Sequence, residues 1–223
     1  MKGKLIVIDG LDGSGKQTQT KLLKERLEKE NYNVVSTSFP NYDSKPGELV
    51  KLYLSGDFGD VNSVNAYQGS LPYAIDRYYS YIKDDWGKKY NEGYIVLCDR
   101  YMTSNLIHQS PKLNENELLP YIDWIKDLEF NKLNIPKPDM VVYLDVPVEA
   151  SLKLMENRKN KFTNEDKKDI HESNKEYLKN CYEVVKKVCE LEKWEKVNCT
   201  NNLEMRSLES INDEIYEKVK KIV

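Results

Sequence analysis

Gly10-Leu11-Asp12-Gly13-Ser14-Gly15-Lys16-Gln17 has the composition and spacing of a phosphate cradle. The glycines let backbone N–H groups turn inward around phosphate oxygens. A helix starting at the end of the run adds its partial positive charge, and a lysine at position 16 reaches the β and γ phosphates of a nucleotide. The bland alternative is a plain glycine-rich strand-to-helix turn. The apolar run Lys4-Leu5-Ile6-Val7-Ile8 before it and the helical stretch after it supply the context that the phosphate reading requires. The residues expected to hold ATP are therefore Gly10, Leu11, Asp12, Gly13, Ser14, Gly15, Lys16, Gln17 and Thr18. One position departs from the motif. Gln17 stands where a Ser or Thr hydroxyl usually reaches Mg²⁺, and the hydroxyl comes one place later at Thr18.

A cradle alone does not separate a kinase from a GTPase or a nucleotide-binding regulator. No NKxD-type motif, which would read guanine, follows on a late strand. Instead Cys98-Asp99-Arg100-Tyr101 closes a third apolar run. An acid at that point is placed to hold Mg²⁺ through water, and the adjacent arginine can fork onto a second phosphate; a helix cap with a surface charge is the alternative. The chain has only five arginines, Arg26, Arg77, Arg100, Arg158 and Arg206, among 34 basic residues. Such a bias toward lysine points to arginine being kept where a planar fork is needed. Tyr73 and Arg77 are four apart on one helical face, so one can stack on a base while the other bonds its edge. The alternative there is an aromatic core residue beside a buried ion pair.

The elements that must position these residues alternate. Strands are expected at Lys4–Ile8, Asn33–Phe39, Tyr94–Cys98, Met140–Leu144 and Trp194–Asn198, with helices between them, including a long one over Val64–Trp86. The β-rich runs, weakest in the fifth, are unbroken rather than alternating, as expected for parallel strands covered on both faces. The expected architecture is α/β: a doubly wound five-stranded parallel sheet with flanking helices, of P-loop kinase type, in a single domain over 1–223. One charged segment, 157–168, breaks the rhythm and reads either as a solvated loop or as a small lid closing over a polyanion. With 34 basic and 37 acidic residues the net charge is -3, which offers no general attraction to nucleic acid or to an acidic membrane. No apolar run approaches the roughly 20 residues of a membrane span, and no signal-peptide pattern follows the first strand. The expectation is a cytoplasmic protein. Cys98, Cys181, Cys189 and Cys199 form no CxxC pair, so zinc and dithiol chemistry have no support.

Five blocks in this order resemble the thymidylate kinase family along most of the chain. They are Ile8–Lys16, Phe39-Pro40, Tyr73–Arg77, Asp99-Arg100-Tyr101 with Ser104, Asn105 and Gln109, and Tyr143–Pro147. The resemblance implies transfer of the γ-phosphate of ATP to dTMP, giving dTDP and ADP, with Mg²⁺ as cofactor and a homodimer as the common assembly. It implies that Asp12 contacts the sugar 3′-hydroxyl, Tyr73 stacks on thymine, Arg77 reads the base edge, and Arg100 holds the acceptor phosphate. Phe39, Ser104, Asn105 and His108 fall among the acceptor-binding positions. Asp99 is the carboxylate expected to serve the metal, and Glu172, in the segment after the charged loop, falls where an acidic residue of the family helps the metal or the sugar. The expected catalytic set is Lys16, Arg100, Arg158 and Asp12.

Departures from the family pattern shape these expectations. Asn41 and Tyr42 replace an arginine that often follows Phe-Pro, so phosphate binding leans on Arg100. His108 stands where an aromatic usually crowds the sugar 2′ position. Gly13 leaves the cradle without an arginine, so Arg158 in the charged loop is the expected bridge between the phosphates. Kinases of other deoxynucleotides or deoxynucleosides, and a non-catalytic ATP-binding regulator, are the alternatives.

Overall fold

The computed structural model describes residues 2–60, 63–155 and 175–223. Five parallel strands form one sheet: β1 (Lys4–Asp9), β2 (Val34–Ser38), β3 (Ile95–Asp99), β4 (Met140–Asp145) and β5 (Glu195–Asn198), in the spatial order β2-β3-β1-β4-β5. β1 is central, with Ile8 paired to Asp99 on one side and to Val142 on the other. The carboxyl ends of β1, β3 and β4 thus open at one edge, on either side of the point where the strand order reverses.

Alternation along β1 explains why its run is apolar throughout. Leu5 and Val7 enter one core with Val96, Cys98 and Trp86. Ile6 and Ile8 enter the opposite core with Leu23 and Leu27 of helix α1 (Lys16–Lys29) and with Ile211 and Ile215 of the last helix. Both faces are covered, so both parities must be apolar.

Between β2 and β3 run α2 (Gly47–Ser55), α3 (Ala66–Lys83) and α4 (Asp85–Asn91). The expected single helix over Val64–Trp86 is therefore two. Asp84 is extended, with φ -86° and ψ 157°, and stands at the N-cap position of α4, its carboxylate accepting from Ser80 Oγ of α3. The break brings Gly87 so close to the carbonyl of Tyr81 that a Cβ there would lie 2.0 Å from the oxygen. Asn65 starts α3 in a reciprocal capping box with Gln68.

After β3 come α5 (Met102–His108), α6 (Leu118–Lys126) and a π-helical turn over Asp127–Lys132. After β4 come α7 (Val148–Met155), α8 (Lys175–Leu191), β5, and a small antiparallel hairpin of β6 (Thr200–Asn201) and β7 (Glu204–Met205), which the sequence reading did not anticipate. The last helix, α9 (Leu208–Val219), packs beside α1. No helix among the described residues is long and apolar enough to cross a membrane.

Candidate active site

The turn from β1 into α1 has the backbone that a phosphate cradle needs. Gly13 and Gly15 have φ of 79° and 86°, the left-handed region where glycine carries no Cβ penalty. Lys16 is buried. Its ammonium donates to the carbonyl oxygens of Gly10 at 2.9 Å and Leu11 at 2.8 Å, which curls the loop over the start of α1. Gln17 and Thr18, one residue further into the helix, are both exposed.

Asp9, fully buried at the end of β1, ties this loop to α5. Its carboxylate accepts from Gly10 N at 2.8 Å, Thr103 Oγ1 at 2.5 Å and Ser104 Oγ at 2.8 Å. A buried carboxylate needs such donors to offset its lost hydration.

Beside the cradle lies a pocket open to one side. Of the acceptor residues expected from the sequence, Asp12, Phe39, Tyr73, Arg77, Arg100, Ser104, Asn105 and His108 all line it. Residues just past β1, β2 and β3 and on α3 and α5 therefore meet there, although they span residues 12 to 108. Lys16 and Asp99 lie outside its lining. Arg158 and Glu172 lie outside the described residues.

Two arginines give the pocket its charge. Arg100 has φ 67°, which for a non-glycine residue is a strained conformation concentrated at functional sites. Its guanidinium is ion-paired with Asp12, and its Nη1 lies 3.4 Å from His108 Nε2. Burial pushes its pKa down, but the carboxylates of Asp12, Asp9 and Asp99 push it further up, so the net shift is upward. Arg77 is buried against Glu129, with Nε to Oε2 at 2.8 Å and Nη2 to Oε1 at 2.5 Å. Arg77 thus sits in a buried ion pair, as the second alternative had it, and it also lines the pocket.

Several neighbours of the pocket were given no role from the sequence. Asp76, next to Arg77, points the other way and accepts from Asn41 N at 2.8 Å and Ser44 Oγ at 2.9 Å, fixing the loop after β2. Burial raises its pKa against those two donors. Tyr53 meets Tyr73 edge-on at 5.9 Å, and Gln109 Nε2 donates to its hydroxyl at 3.1 Å. Gln109 and Asp76 belonged to recognised blocks, though neither was assigned a role, whereas Glu129 and Tyr53 had no local signal.

A phosphate cradle on the first strand of a five-stranded parallel sheet, with a cationic pocket beside it at the strand ends, defines a P-loop kinase that moves a phosphoryl group between two bound molecules. The family model for thymidylate kinase matches residues 8–210. A probable thymidylate kinase of Pyrococcus horikoshii is 35% identical over 159 residues, 69% of this chain and 70% of that one. The thymidylate kinase of Plasmodium falciparum is 31% identical over 221 residues, 99% of this chain and 91% of that one. In architecture the chain is similar to the thymidylate kinase of Candida albicans, with a TM-score of 0.71 at 19% identity, over 99% of this chain and 92% of that one. The chain belongs to the thymidylate kinase family.

Proposed function

We propose that the cradle and the pocket are the ATP and dTMP sites of the activity that membership of this family assigns, transfer of the γ-phosphoryl group of ATP to dTMP. The observation that carries this reading is the convergence of all eight expected acceptor residues on one pocket beside the cradle. Phosphoryl transfer asks a protein mainly for positioning and charge neutralisation. Lys16 and the loop amides hold the donor phosphates. Arg100 holds the acceptor phosphate, Tyr73 stacks on the thymine, and Arg77 with Asn105 reads its edge. Asp12 orients Arg100 and reaches the sugar 3′-hydroxyl.

Magnesium suits the donors present. Mg²⁺ favours oxygen ligands, keeps several waters and binds through one or two carboxylates plus substrate phosphates. Asp99 at the end of β3 and the amide oxygen of Gln17 in the first turn of α1 would hold it through water, and the ion would supply neutralisation of the β and γ phosphate charge. Resemblance to the family alone supports Glu172 in this shell and Arg158 as the phosphate bridge. It also supports treating 157–168 as a lid within one domain.

The homodimer is supported by a stripe on α3. Leu71, Ile75, Tyr78 and Ile82, spaced four, three and four apart, are 44%, 44%, 38% and 52% exposed. Apolar residues at that spacing form one helix face suited to packing against a second copy. Free thiols at all four cysteines fit a reducing compartment such as the cytoplasm.

The deciding experiment is ADP release with ATP and Mg²⁺, comparing dTMP, dUMP, UMP, dCMP, dAMP, dGMP and thymidine. Highest kcat/KM with dTMP is expected. ATP binding without acceptor-dependent turnover would overturn the assignment.

A further inference from the structure

We infer that Glu129, which lies behind the pocket and does not line it, sets which base the pocket accepts. The inference rests on the pocket being the dTMP site. Glu129 is fully buried on the π-helical turn that extends α6, a local geometry found disproportionately at functional sites. It holds Arg77 by two parallel bonds, which fix the plane of the guanidinium as well as its position.

The remaining hydrogens of Arg77 then have defined destinations. The second Nη2 hydrogen goes to Asn105 Oδ1 at 3.0 Å, and one Nη1 hydrogen goes to the carbonyl of Tyr101 at 3.3 Å. Among the described residues one Nη1 hydrogen is left over, and Arg77 lines the pocket.

Arg77 in turn fixes Asn105. The amide sits between a guanidinium, which can only donate, and the carbonyl of Ser70, which can only accept and takes Asn105 Nδ2 at 3.3 Å. Only one orientation of the amide satisfies both neighbours. Both residues line the pocket, so what they have left to offer a ligand there is the remaining Nη1–H of Arg77 and the second lone pair of Asn105 Oδ1.

The complementary edge is a carbonyl next to an N–H. Thymine offers that pattern with its C4 carbonyl and N3–H. Cytosine reverses it, placing an amino group against the guanidinium and a bare nitrogen against the amide oxygen. A buried mismatch of this kind leaves donors facing donors, and sites built on hydrogen bonds discriminate strongly for that reason. Without Glu129 the guanidinium is free to turn, and Asn105 loses the neighbour that fixes its orientation.

The test is kinetic. In Glu129→Gln the ratio of kcat/KM for dTMP over dCMP should fall at least about tenfold, with the loss on dTMP carried by KM more than by kcat. Glu129→Asp keeps the charge beside Arg77 but is one methylene short of the two-point grip, so it should lower the same ratio even where Glu129→Gln fails to fold. A wild-type ratio in either folded variant, with equal losses on both nucleotides, overturns the role of Glu129. Arg77→Lys separates the two levels. If it leaves the KM for dTMP where it was, the pocket itself is misassigned; if it raises that KM while the Glu129 variants keep the wild-type ratio, only the role of Glu129 fails.

Discussion

Arg100 Nη2 is ion-paired with Asp12 Oδ1, so the residue that follows β3 is clasped to the loop that follows β1. Both side chains are largely shielded, at 14% and 9% exposure. The pair spans the boundary between the cradle and the pocket, the proposed donor and acceptor sites.

That clasp makes Arg100→Ala informative. Losing one charge-assisted contact to a phosphate costs ~1.5–3 kcal/mol, roughly 10- to 100-fold. The expected result is a rise of that size in the KM for dTMP, with the KM for ATP much less affected. Steady-state kinetics with each substrate varied in turn checks it, and an unchanged KM for dTMP would remove Arg100 from the acceptor site.

Lys16→Ala should act on the other substrate. Its ammonium is buried and already directed along the loop, so its charge is preorganised. Removing one such donor lowers kcat by ~10²-fold or more. Single-turnover rates measure this directly, and near-normal turnover would refute the cradle assignment.

Asp9 has a structural task. Replacing it with alanine strands the buried Gly10 amide and two hydroxyls at the junction of β1 and α5. Each stranded buried donor costs ~1–3 kcal/mol, but the hydroxyls can rotate to other acceptors, so a total loss of about 3 kcal/mol is expected. Urea unfolding should show it as a lower midpoint at unchanged slope.

Lys112 should give the protein a pH signature. Its ammonium donates to Val64 O at 2.9 Å and Tyr53 Oη at 3.1 Å, and burial lowers its pKa from 10.5 to about 8. Between about 8 and 10.5 the unfolded chain holds this proton more tightly than the folded one, so stability from this group rises with pH across that window. Thermal melts of wild type and Lys112→Met should therefore diverge in favour of the wild type as pH is raised through it. A constant gap would show that Lys112 titrates normally.

The stripe on α3 predicts the assembly state. Ile75→Lys and Ile82→Lys place charges on the exposed apolar face without disturbing a core contact, since both positions are 44% or more exposed. Sedimentation velocity should show wild-type dimer and variant monomer. A monomeric wild type would refute the pairing.

Much of this was legible in the sequence, for local reasons. An unbroken apolar run such as Leu5–Ile8 specifies a strand buried on both faces, and glycines at 13 and 15 specify a turn that other residues resist. Tyr73 and Arg77 share a face because a helix repeats every 3.6 residues. The same local rules fell short at Asp84. There, neighbouring helix-compatible residues gave no sign that the chain would turn and begin a new helix against the core.

Glu129 lay beyond those rules altogether. It stands 52 residues from Arg77 along the chain, and nothing around it in Lys126–Phe130 distinguishes it from a solvated charge on a helix. Sequence patterns extend about one helical turn or one strand pair, so they singled out residues that line the pocket. The tertiary structure alone decided how those residues are held, because burial and the pairing of distant charges exist only once α6 packs against α3 and α5.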